Sequence, residues 1–300
     1  MQKIRFIANP FSGNTIAQKI HLLVERHLDM NEYQYEITFT DYAGHASILA
    51  QEAVEAKYDM VVAVGGDGSI NEVAKSLIGT DTTLGVLPAG SGNGFSMHLG
   101  IGRNPEKALQ FIKNGQDIKI DTCKVNGIPY INLAGIGFDA NVAQRIKGST
   151  LRGFRGYLTY SLQEAWNYQM QDFEIEIDGK TFHRECFSVA VANAPMYGYG
   201  FVVAPSAVLN DGLLEVMILK AASKWRYVFE GWRYLNNSLN ESSLAEHYPA
   251  KKVKIITKQK PLALHFDGES TIVEDGILNF ELVPQSLTVR CPKGYRHLSG

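Results

Sequence analysis

The sequence has little cysteine and almost no net charge. Its 300 residues include three cysteines, Cys123, Cys186 and Cys291, and the formal net charge is −2. Three widely separated cysteines form neither metal-ligand spacing nor a disulfide framework, so core or surface thiols are expected. A charge near zero supplies no basic field, which argues against nucleic acid as the partner. The eight histidines form no ligand cluster in the sequence.

Long apolar runs are also missing. The chain opens on a strand-like segment without an apolar leader core or a small-residue cleavage site, so no signal peptide is predicted. The stretch 186–210 carries no charge, but glycines and prolines interrupt it, which favours two buried strands and a loop over a transmembrane segment. The expected compartment is the cytoplasm. A 45% hydrophobic content is enough for a sizeable core.

One apolar run ends in a glycine turn that suits a phosphate. Met60–Val64 has strand length, Gly65-Gly66-Asp67-Gly68 breaks it, and Ser69-Ile70-Asn71-Glu72 has the form of a capping box that starts a helix near Ser69. The N–H groups and the positive dipole end of such a helix start favour an anion. A strand–helix connection without a ligand is the alternative.

Strands and helices alternate in the first part of the chain. Strands are predicted at 3–8, 34–40, 60–64 and 83–87, and helices at 15–28, 46–56, from 69, from 95 and at 105–113. This alternation predicts an α/β domain with a mostly parallel sheet that binds ligands at the carboxyl ends of its strands. The turns at 9–13, 65–68 and 90–94 would all lie on that edge.

The pattern changes after about residue 117. Asn126-Gly127 and Asp178-Gly179 predict hairpins, and the second half reads as a mainly β sandwich or barrel-like sheet. Trp225 and Trp232, in a predicted helix at 223–239, are expected in a helix–sheet core. Since no linker separates the halves, the domains are expected to share a cleft. The strands are predicted at 128–133, 174–177, 187–192, 213–219, 251–257, 263–266, 277–282 and 286–289, with a second helix at 154–170.

Five short motifs follow one another along the chain: Asn9-Pro-x-Ser-Gly13, Gly65–Glu72, Pro88-Ala-Gly-Ser-Gly-Asn93, Asp211-Gly-Leu-Leu214 and Asp267-Gly-Glu269. Together they resemble the diacylglycerol kinase catalytic-domain family, which includes bacterial lipid kinases, sphingosine kinases and ceramide kinases. The resemblance implies a three-layer, NAD kinase/diacylglycerol kinase-like α/β nucleotide domain over residues 1–117. It also implies a β-sandwich lipid-substrate domain over 118–289 and a tail, 290–300, that returns to the first domain.

The resemblance assigns ATP binding to the first three motifs and to a threonine that ends the second strand. The chain has neither a GxxxxGK[ST] loop nor a protein-kinase signature, so its phosphate cradle is of another kind. Asp67, the only acid in the glycine turn, is expected either to act on the Mg²⁺ of Mg·ATP or to cap the turn. The implied nucleotide-binding residues are Asn9, Pro10, Ser12, Gly13, Thr40, Gly65, Gly66, Asp67, Gly68, Ser69, Asn71, Glu72, Gly90, Ser91, Gly92 and Asn93.

The last two motifs imply a base and a structural metal. Glu269 is expected to take the proton of a lipid hydroxyl, with Asp267 as its partner or metal neighbour; the alternative is an Asp-Gly hairpin turn with a solvated glutamate. Asp211 and the carbonyls of Val208 and Leu213 would hold a structural Mg²⁺, or else form an ordinary turn. Asp139 is expected either near the lipid head group or as a helix cap.

The leading prediction is an ATP-dependent, Mg²⁺-using kinase that phosphorylates diacylglycerol or a related lipid, acting as a peripheral protein at the membrane surface. Gly90-Ser-Gly-Asn-Gly94 departs from the Gly-Thr-x-Asn-Asp pattern of bacterial diacylglycerol kinases and is more like the sphingosine and ceramide kinase branches. A sphingoid-base or ceramide kinase is therefore one alternative. An NAD kinase and a non-catalytic lipid- or nucleotide-binding regulator are the others. The lipid identity and homodimer formation stay open.

Overall fold

A computed structural model describes residues 1–12, 16–147, 153–197 and 200–295. The described chain forms two compact units. Among the described residues, the first comprises Met1–Asp121 and residues 284–295, and the second comprises Thr122–Val283. The sequence placed the boundaries at 117 and 289, a few residues away from each of these points.

The first unit is built on four parallel strands, and the continuous apolar runs explain why. They are β1 (Gln2–Ala8), β2 (Tyr33–Phe39), β3 (Met60–Gly65) and β4 (Thr83–Pro88). Every residue of the two central strands, β3 and β4, is buried, as is usual for parallel strands covered on both faces. The spatial order is β2-β1-β3-β4, so the connections change direction between β1 and β3.

Helices cover this sheet in two groups. The helices are α1 (Ile16–His27), α2 (His45–Glu55), α3 (Asp67–Leu77), α4 (Gly94–His98) and α5 (Pro105–Asn114). α2 packs with α3, and α1 packs with α5. The start of α5 is specified locally, because the Asn104 side chain accepts hydrogen bonds from two backbone N–H groups and a proline follows it. The predicted three-layer α/β class is confirmed.

The helix after the first glycine turn starts two residues earlier than predicted. α3 begins at Asp67, and its N-cap residue is Gly66, which has no side chain with which to cap. The predicted capping box at Ser69 is therefore wrong. The extended backbone of Gly66 takes the chain directly from strand to helix, and the Ser69 hydroxyl lies 3.4 Å from Asn9 Nδ2 instead.

The second unit is mainly β, as predicted, with antiparallel pairing. β9 (Lys180–Ala192) pairs through its first half with β8 (Gln171–Ile177) and through its second half with β7 (Leu133–Gly137) and β10 (Leu214–Lys220). Strands β5 (Gln116–Val125) and β15 (Ile277–Cys291) each begin in one unit and end in the other. The remaining strands are β6 (Ile128–Tyr130), β11 (Ala245–Ala250), β12 (Lys252–Ile256), β13 (Leu262–Phe266) and β14 (Glu269–Val273).

Three strand predictions need correction. The segment predicted at 128–133 is two strands, β6 and β7, and neither β11 nor β14 was predicted. The strands predicted at 277–282 and 286–289 are one strand, β15. Gln285 interrupts its pattern with a φ of 46°, and the Gln285 N–H donates to the Asp121 carboxylate at 2.7 Å. At its far end, β15 pairs in parallel with β4, which places the returning chain in the first unit.

The apolar core of the second unit lies between its strands, and helices cover a second apolar cluster. The inner cluster includes Tyr130, Phe173, Phe266 and Phe280, while Cys123 and Cys186 are buried free thiols within it. The helices are α6 (Phe138–Lys147), α7 (Gly153–Asn167) and α8 (Lys224–Glu230), and 3-10 helices follow at Gly231–Tyr234 and Leu239–Glu241. Among the described residues, each helix is too short or too polar to span a bilayer.

The predicted core role of two tryptophans is wrong. Trp225 is 66% exposed and Trp232 is 54% exposed. Tyr227 packs in their place, and its ring stacks on Phe187 with centroids 4.0 Å apart. Tyr227 can point inward because its hydroxyl donates a hydrogen bond there to the carbonyl of Lys220.

Candidate active site

Three loops of the first unit meet at the carboxyl ends of β1, β3 and β4. The Asn9 N–H donates to the Val64 carbonyl at 3.1 Å, and the Ala89 N–H donates to the Gly65 carbonyl at 2.8 Å. A Cβ added at Gly65 would lie 2.5 Å from Ser69 Oγ and 3.4 Å from Ser12 Oγ. The three turns that were predicted to share one sheet edge therefore form one continuous set of loops. They lie beside the point between β1 and β3 where the strand connections change direction.

Two glycines of these loops touch each other through their backbones. A Cβ added at Gly90 would lie 2.4 Å from Gly66 Cα, closer than real Cβ atoms approach backbone. These glycines are thus required by the contact between the loops, whatever they bind. Gly68 differs: it is exposed, and among the described residues no heavy atom lies within 4 Å of a Cβ added there.

Asn93 shapes the second glycine loop. Its side chain accepts a hydrogen bond from the Gly90 N–H at 3.1 Å and donates to the Gly90 carbonyl at 2.7 Å. The residue is 3% exposed and has a φ of 52°, in the left-handed region that asparagine tolerates. This closure leaves Ser91 exposed at the tip, with Gly92 half-buried beside it.

Asp67 caps a helix. Its Oδ1 accepts a hydrogen bond at 3.2 Å from the N–H of Phe95, in the first turn of α4. This bond caps α4 and not the glycine turn that contains Asp67, and it joins the loop after β3 to the loop after β4. The metal role of Asp67 stays a prediction.

The structure also describes four other residues that the resemblance assigns to nucleotide binding: Thr40, Asn71, Glu72 and Pro10. Thr40 is buried at the end of β2, where its N–H donates to the Ala8 carbonyl at 3.0 Å. Asn71 is 1% exposed inside α3, and Glu72 is half-buried with its carbonyl accepting from the Ser47 hydroxyl at 2.8 Å. Pro10 is exposed after β1. Gly13 lies outside the described residues.

Asp267 is held by backbone in the second unit. Its carboxylate accepts hydrogen bonds from the N–H groups of Ile131, Asn132 and Leu133 at 2.7, 2.9 and 3.1 Å. It is 6% exposed, with a φ of 47° in the tight turn between β13 and β14. Glu269 follows at the start of β14 and is exposed. The predicted hairpin turn is present, Asp267 serves to hold it, and the base role of Glu269 stays a prediction.

Asp139 belongs to a buried polar chain in the second unit. It lies in the first turn of α6, and the Tyr197 hydroxyl is 3.4 Å from its Oδ2 and 2.8 Å from His265 Nε2. Burial raises the pKa of Asp139 to about 6, against the lowering effect of hydrogen bonds from Tyr197 and Ser188. Burial lowers the pKa of His265 to about 4. Sequence reasoning missed His265, whose place two residues before Asp267 is the one available indication.

The Asp211 segment forms an Asp-Gly turn. Asp211 is exposed, and its Oδ1 accepts a hydrogen bond from the Leu213 N–H at 3.0 Å. Across the described part of the chain, no group of three or more histidine, cysteine or acidic side chains could hold a metal. One carboxylate and the carbonyls of Val208 and Leu213 are oxygen donors of the kind Mg²⁺ accepts, but water would have to complete the octahedron. The structural Mg²⁺ site stays a prediction.

Comparison with known proteins decides the family. The family model of the diacylglycerol kinase catalytic domain matches residues 3–125, and that of the YegS C-terminal NAD kinase beta sandwich-like domain matches residues 132–291. A diacylglycerol kinase of Bacillus subtilis is 33% identical over 276 residues, which covers 90% of each chain. The chain belongs to the diacylglycerol kinase family. It is a phosphotransferase of the lipid kinase type.

The chain is also similar to a further curated protein and to solved structures. A protein of Chromohalobacter salexigens named "Probable lipid kinase YegS-like" is 30% identical over 257 residues, covering 84% of this chain and 82% of its own. A crystal structure of a diacylglycerol kinase from Bacillus anthracis has a TM-score of 0.74 at 21% identity, over 97% of both chains. An Archaeoglobus fulgidus NAD kinase, solved in complex with ATP, has a TM-score of 0.54 at 12% identity, over 97% of this chain and 94% of its own. At these identities the two structures support the fold alone.

Proposed function

We propose that this lipid kinase transfers the γ-phosphoryl group of ATP to the hydroxyl of diacylglycerol or a closely related lipid. The observation that carries the proposal is the meeting of three loops at the carboxyl ends of β1, β3 and β4. Phosphoryl transfer depends on positioning and charge stabilisation more than on covalent chemistry. A set of backbone donors on one sheet edge supplies both.

The start of α3 is the proposed phosphate contact. The first N–H groups of a helix lack intrahelical acceptors, and here the N-cap is a glycine that supplies no side-chain oxygen to them. Such donors, at the positive end of an 11-residue helix, favour an anion. Ser91, exposed at the tip of the neighbouring loop, adds a hydroxyl on the same edge. ATP as donor is therefore consistent with both the family and this local geometry.

The second unit is proposed to supply the base. Glu269 would accept the proton of the lipid hydroxyl, a role that rests on its motif and on its exposure, which leaves the carboxylate accessible to substrate. Asp267 would act as a positioning residue, because three backbone N–H groups already engage it. Mg²⁺, when bound with ATP, would offset charge on the phosphates. Asp67 is the proposed acidic contact for it.

One observation favours a second substrate class. The loop Gly90-Ser-Gly-Asn93 is more like that of sphingosine and ceramide kinases, so a sphingoid base or ceramide is the next candidate acceptor. The NAD kinase alternative has support from fold likeness only.

Transfer of labelled phosphate from ATP tests the proposal directly. Diacylglycerol, monoacylglycerol, sphingosine, ceramide and an isoprenoid alcohol are each presented in mixed micelles, with NAD as a control. The expected result is a labelled diacylglycerol product that requires Mg²⁺. A labelled sphingoid or ceramide product alone would show that this lipid, and not diacylglycerol, is the acceptor. Labelled NADP would show that the acceptor is a dinucleotide and not a lipid. No product from any acceptor would favour a non-catalytic binding role.

A further inference from the structure

The segment that follows β10 presents an apolar face to solvent. Its side chains follow helical spacing along α8 and the 3-10 helix after it, so all of them project to the same side. They are 54–74% exposed. We call this set the aromatic face; it consists of Trp225, Val228, Phe229, Trp232 and Leu235.

The opposite side of this segment is anchored, so its orientation is defined by packing. Tyr227 stacks on Phe187, and its hydroxyl donates to the Lys220 carbonyl. The Tyr234 carbonyl accepts a hydrogen bond from the Val202 N–H at 2.7 Å. The helical segment therefore has a tyrosine side that contacts the unit and an aromatic face that projects away from it.

The composition around the aromatic face suits a lipid surface. Tryptophan prefers the boundary between hydrocarbon and water, and basic residues beside apolar ones favour anionic lipid. Residues 220–235 hold four basic residues and one acidic residue, a local charge of +3 in a chain of net charge −2. Ion pairs of Lys220 with Glu246 and of Arg233 with Glu241, two acids outside this segment, offset part of that charge. Apolar contact is thus the larger contribution and charge the smaller one.

The area of the aromatic face is too small for a stable dimer. Its five side chains, at exposures of 54–74%, present at most about 640 Å² even if each offered about 200 Å² when fully exposed. A stable protein interface buries about 800 Å² on each partner. Insertion to the depth of the lipid head groups needs no such extended complementary surface.

We propose that the aromatic face inserts into the surface of a lipid bilayer and holds the kinase on the membrane that contains its substrate. The proposal rests on the lipid kinase function above. Chain connectivity also supports it: the Tyr197 N–H donates to the Phe201 carbonyl at 2.9 Å, and Val202, the next residue, bonds to Tyr234. The membrane-bound segment is thereby tied to Tyr197, the hydrogen-bond partner of Asp139.

Vesicle sedimentation with the full-length protein tests the contact. Vesicles of phosphatidylcholine with phosphatidylglycerol should sediment together with the wild-type protein. Phe229→Asp should lower the partition coefficient by about tenfold or more, because a ring that inserts into lipid is replaced by a charge. Leu22→Asp is the matched control, since Leu22 is 61% exposed on α1 of the other unit, and its binding should equal that of the wild type. Wild-type protein that stays in solution, or equal loss in both variants, would overturn the proposal.

Tryptophan quenching locates the inserted side chains. Brominated phosphatidylcholine should quench the wild type, whereas Trp225→Phe with Trp232→Phe should keep vesicle binding and lose most of the quenching. Binding without any quenching difference would place the contact elsewhere. Light scattering provides the remaining check: a wild-type dimer that Phe229→Asp converts to a monomer would show that a second copy covers the aromatic face.

Activity assays separate this inference from the proposed function. With a short-chain diacylglycerol dispersed in water, Phe229→Asp should keep the wild-type rate and lose rate only on vesicles. A wild-type protein that binds vesicles through the aromatic face but phosphorylates no lipid would refute the kinase proposal alone. An active kinase with equal vesicle rates for wild type and Phe229→Asp would refute the docking proposal alone.

Discussion

Gly90→Ala is expected to force two loops apart. The new Cβ would lie 2.4 Å from Gly66 Cα and 3.0 Å from Asn93 Oδ1. Carbon atoms in contact prefer about 3.5–4.0 Å, so the loops must separate by roughly 1 Å. Overpacking of this kind costs about 1–3 kcal/mol, and weakening the two Asn93 hydrogen bonds without breaking them adds about 0.5 kcal/mol each. We therefore expect the free energy of unfolding to fall by about 3 kcal/mol.

Thermal unfolding and nucleotide titration measure the two consequences. At about 3 °C per kcal/mol for a unit of this size, the melting temperature should fall by roughly 9 °C. ATP affinity should fall at least tenfold at a temperature where the variant is folded, because the displaced loop no longer holds its N–H donors on the shared edge. Circular dichroism establishes that the variant is folded during the titration.

Gly68→Ala is the matched control. It adds the same methyl group where no described neighbour lies within 4 Å, and in the first turn of a helix alanine is favoured over glycine by up to about 1 kcal/mol. Its melting temperature should be unchanged or higher, while ATP affinity falls if a phosphate approaches that backbone. An unchanged melting temperature for Gly90→Ala would refute the packing argument. Full ATP affinity in Gly68→Ala would refute the phosphate contact at α3.

Four further substitutions test the second unit. Glu269→Gln should lower turnover by about 10³-fold and leave ATP affinity and melting temperature unchanged, as initial rates and calorimetry can establish; near wild-type turnover would remove Glu269 as the base. Asp267→Ala should lower the free energy of unfolding by about 3 kcal/mol in urea titrations, because three buried N–H groups lose their acceptor. Asp139 has its pKa raised to about 6, so the folded state binds its proton more tightly than the unfolded state, and this stabilisation is complete below about pH 4 and lost as the pH rises through 6. Asp139→Asn should remove that loss and raise the melting temperature at pH 7 relative to the wild type. His265 has a lowered pKa, so its contribution to stability rises with pH, and it does so equally in both proteins. If the melting temperatures of wild type and variant depended on pH in the same way, the Asp139 assignment would be contradicted. Asp211→Asn should abolish any rise in melting temperature that Mg²⁺ produces in the wild type, and a persisting rise would place the ion elsewhere.

The fold class was predictable because its patterns are regular. The buried parallel strands β3 and β4 appear in the sequence as continuous apolar runs, and the hairpins carry Asn-Gly and Asp-Gly. Errors arose where tertiary contacts decide a boundary. β15 was divided in two because the sequence cannot show that Gln285 adopts a positive φ while bonded to Asp121.

Side-chain direction on the short helix α8 was not predictable. Tryptophan and phenylalanine at helical spacing normally indicate a buried face, and tyrosine is the more common surface residue. Here Tyr227 and Tyr234 pack inward while Trp225 and Trp232 project outward. The acceptor for the Tyr227 hydroxyl, the Lys220 carbonyl, lies on the inner side only because of the tertiary fold.

The site residues divide in a way that the motifs alone do not show. In the second glycine loop, Asn93 is buried and shapes the turn, whereas Ser91 is exposed at the tip. In the turn after β13, Asp267 is buried on three N–H groups, whereas Glu269 is exposed two residues later. Gly68 is likewise exposed, in the first turn of α3, directly after the loop that Gly65 and Gly66 shape. Each motif therefore combines a residue that shapes the loop with a neighbour that the loop presents to solvent. Substituting the first kind should cost stability and activity together, whereas substituting the second kind should cost activity alone, so the ratio of the two losses distinguishes a residue that touches substrate from one that positions it.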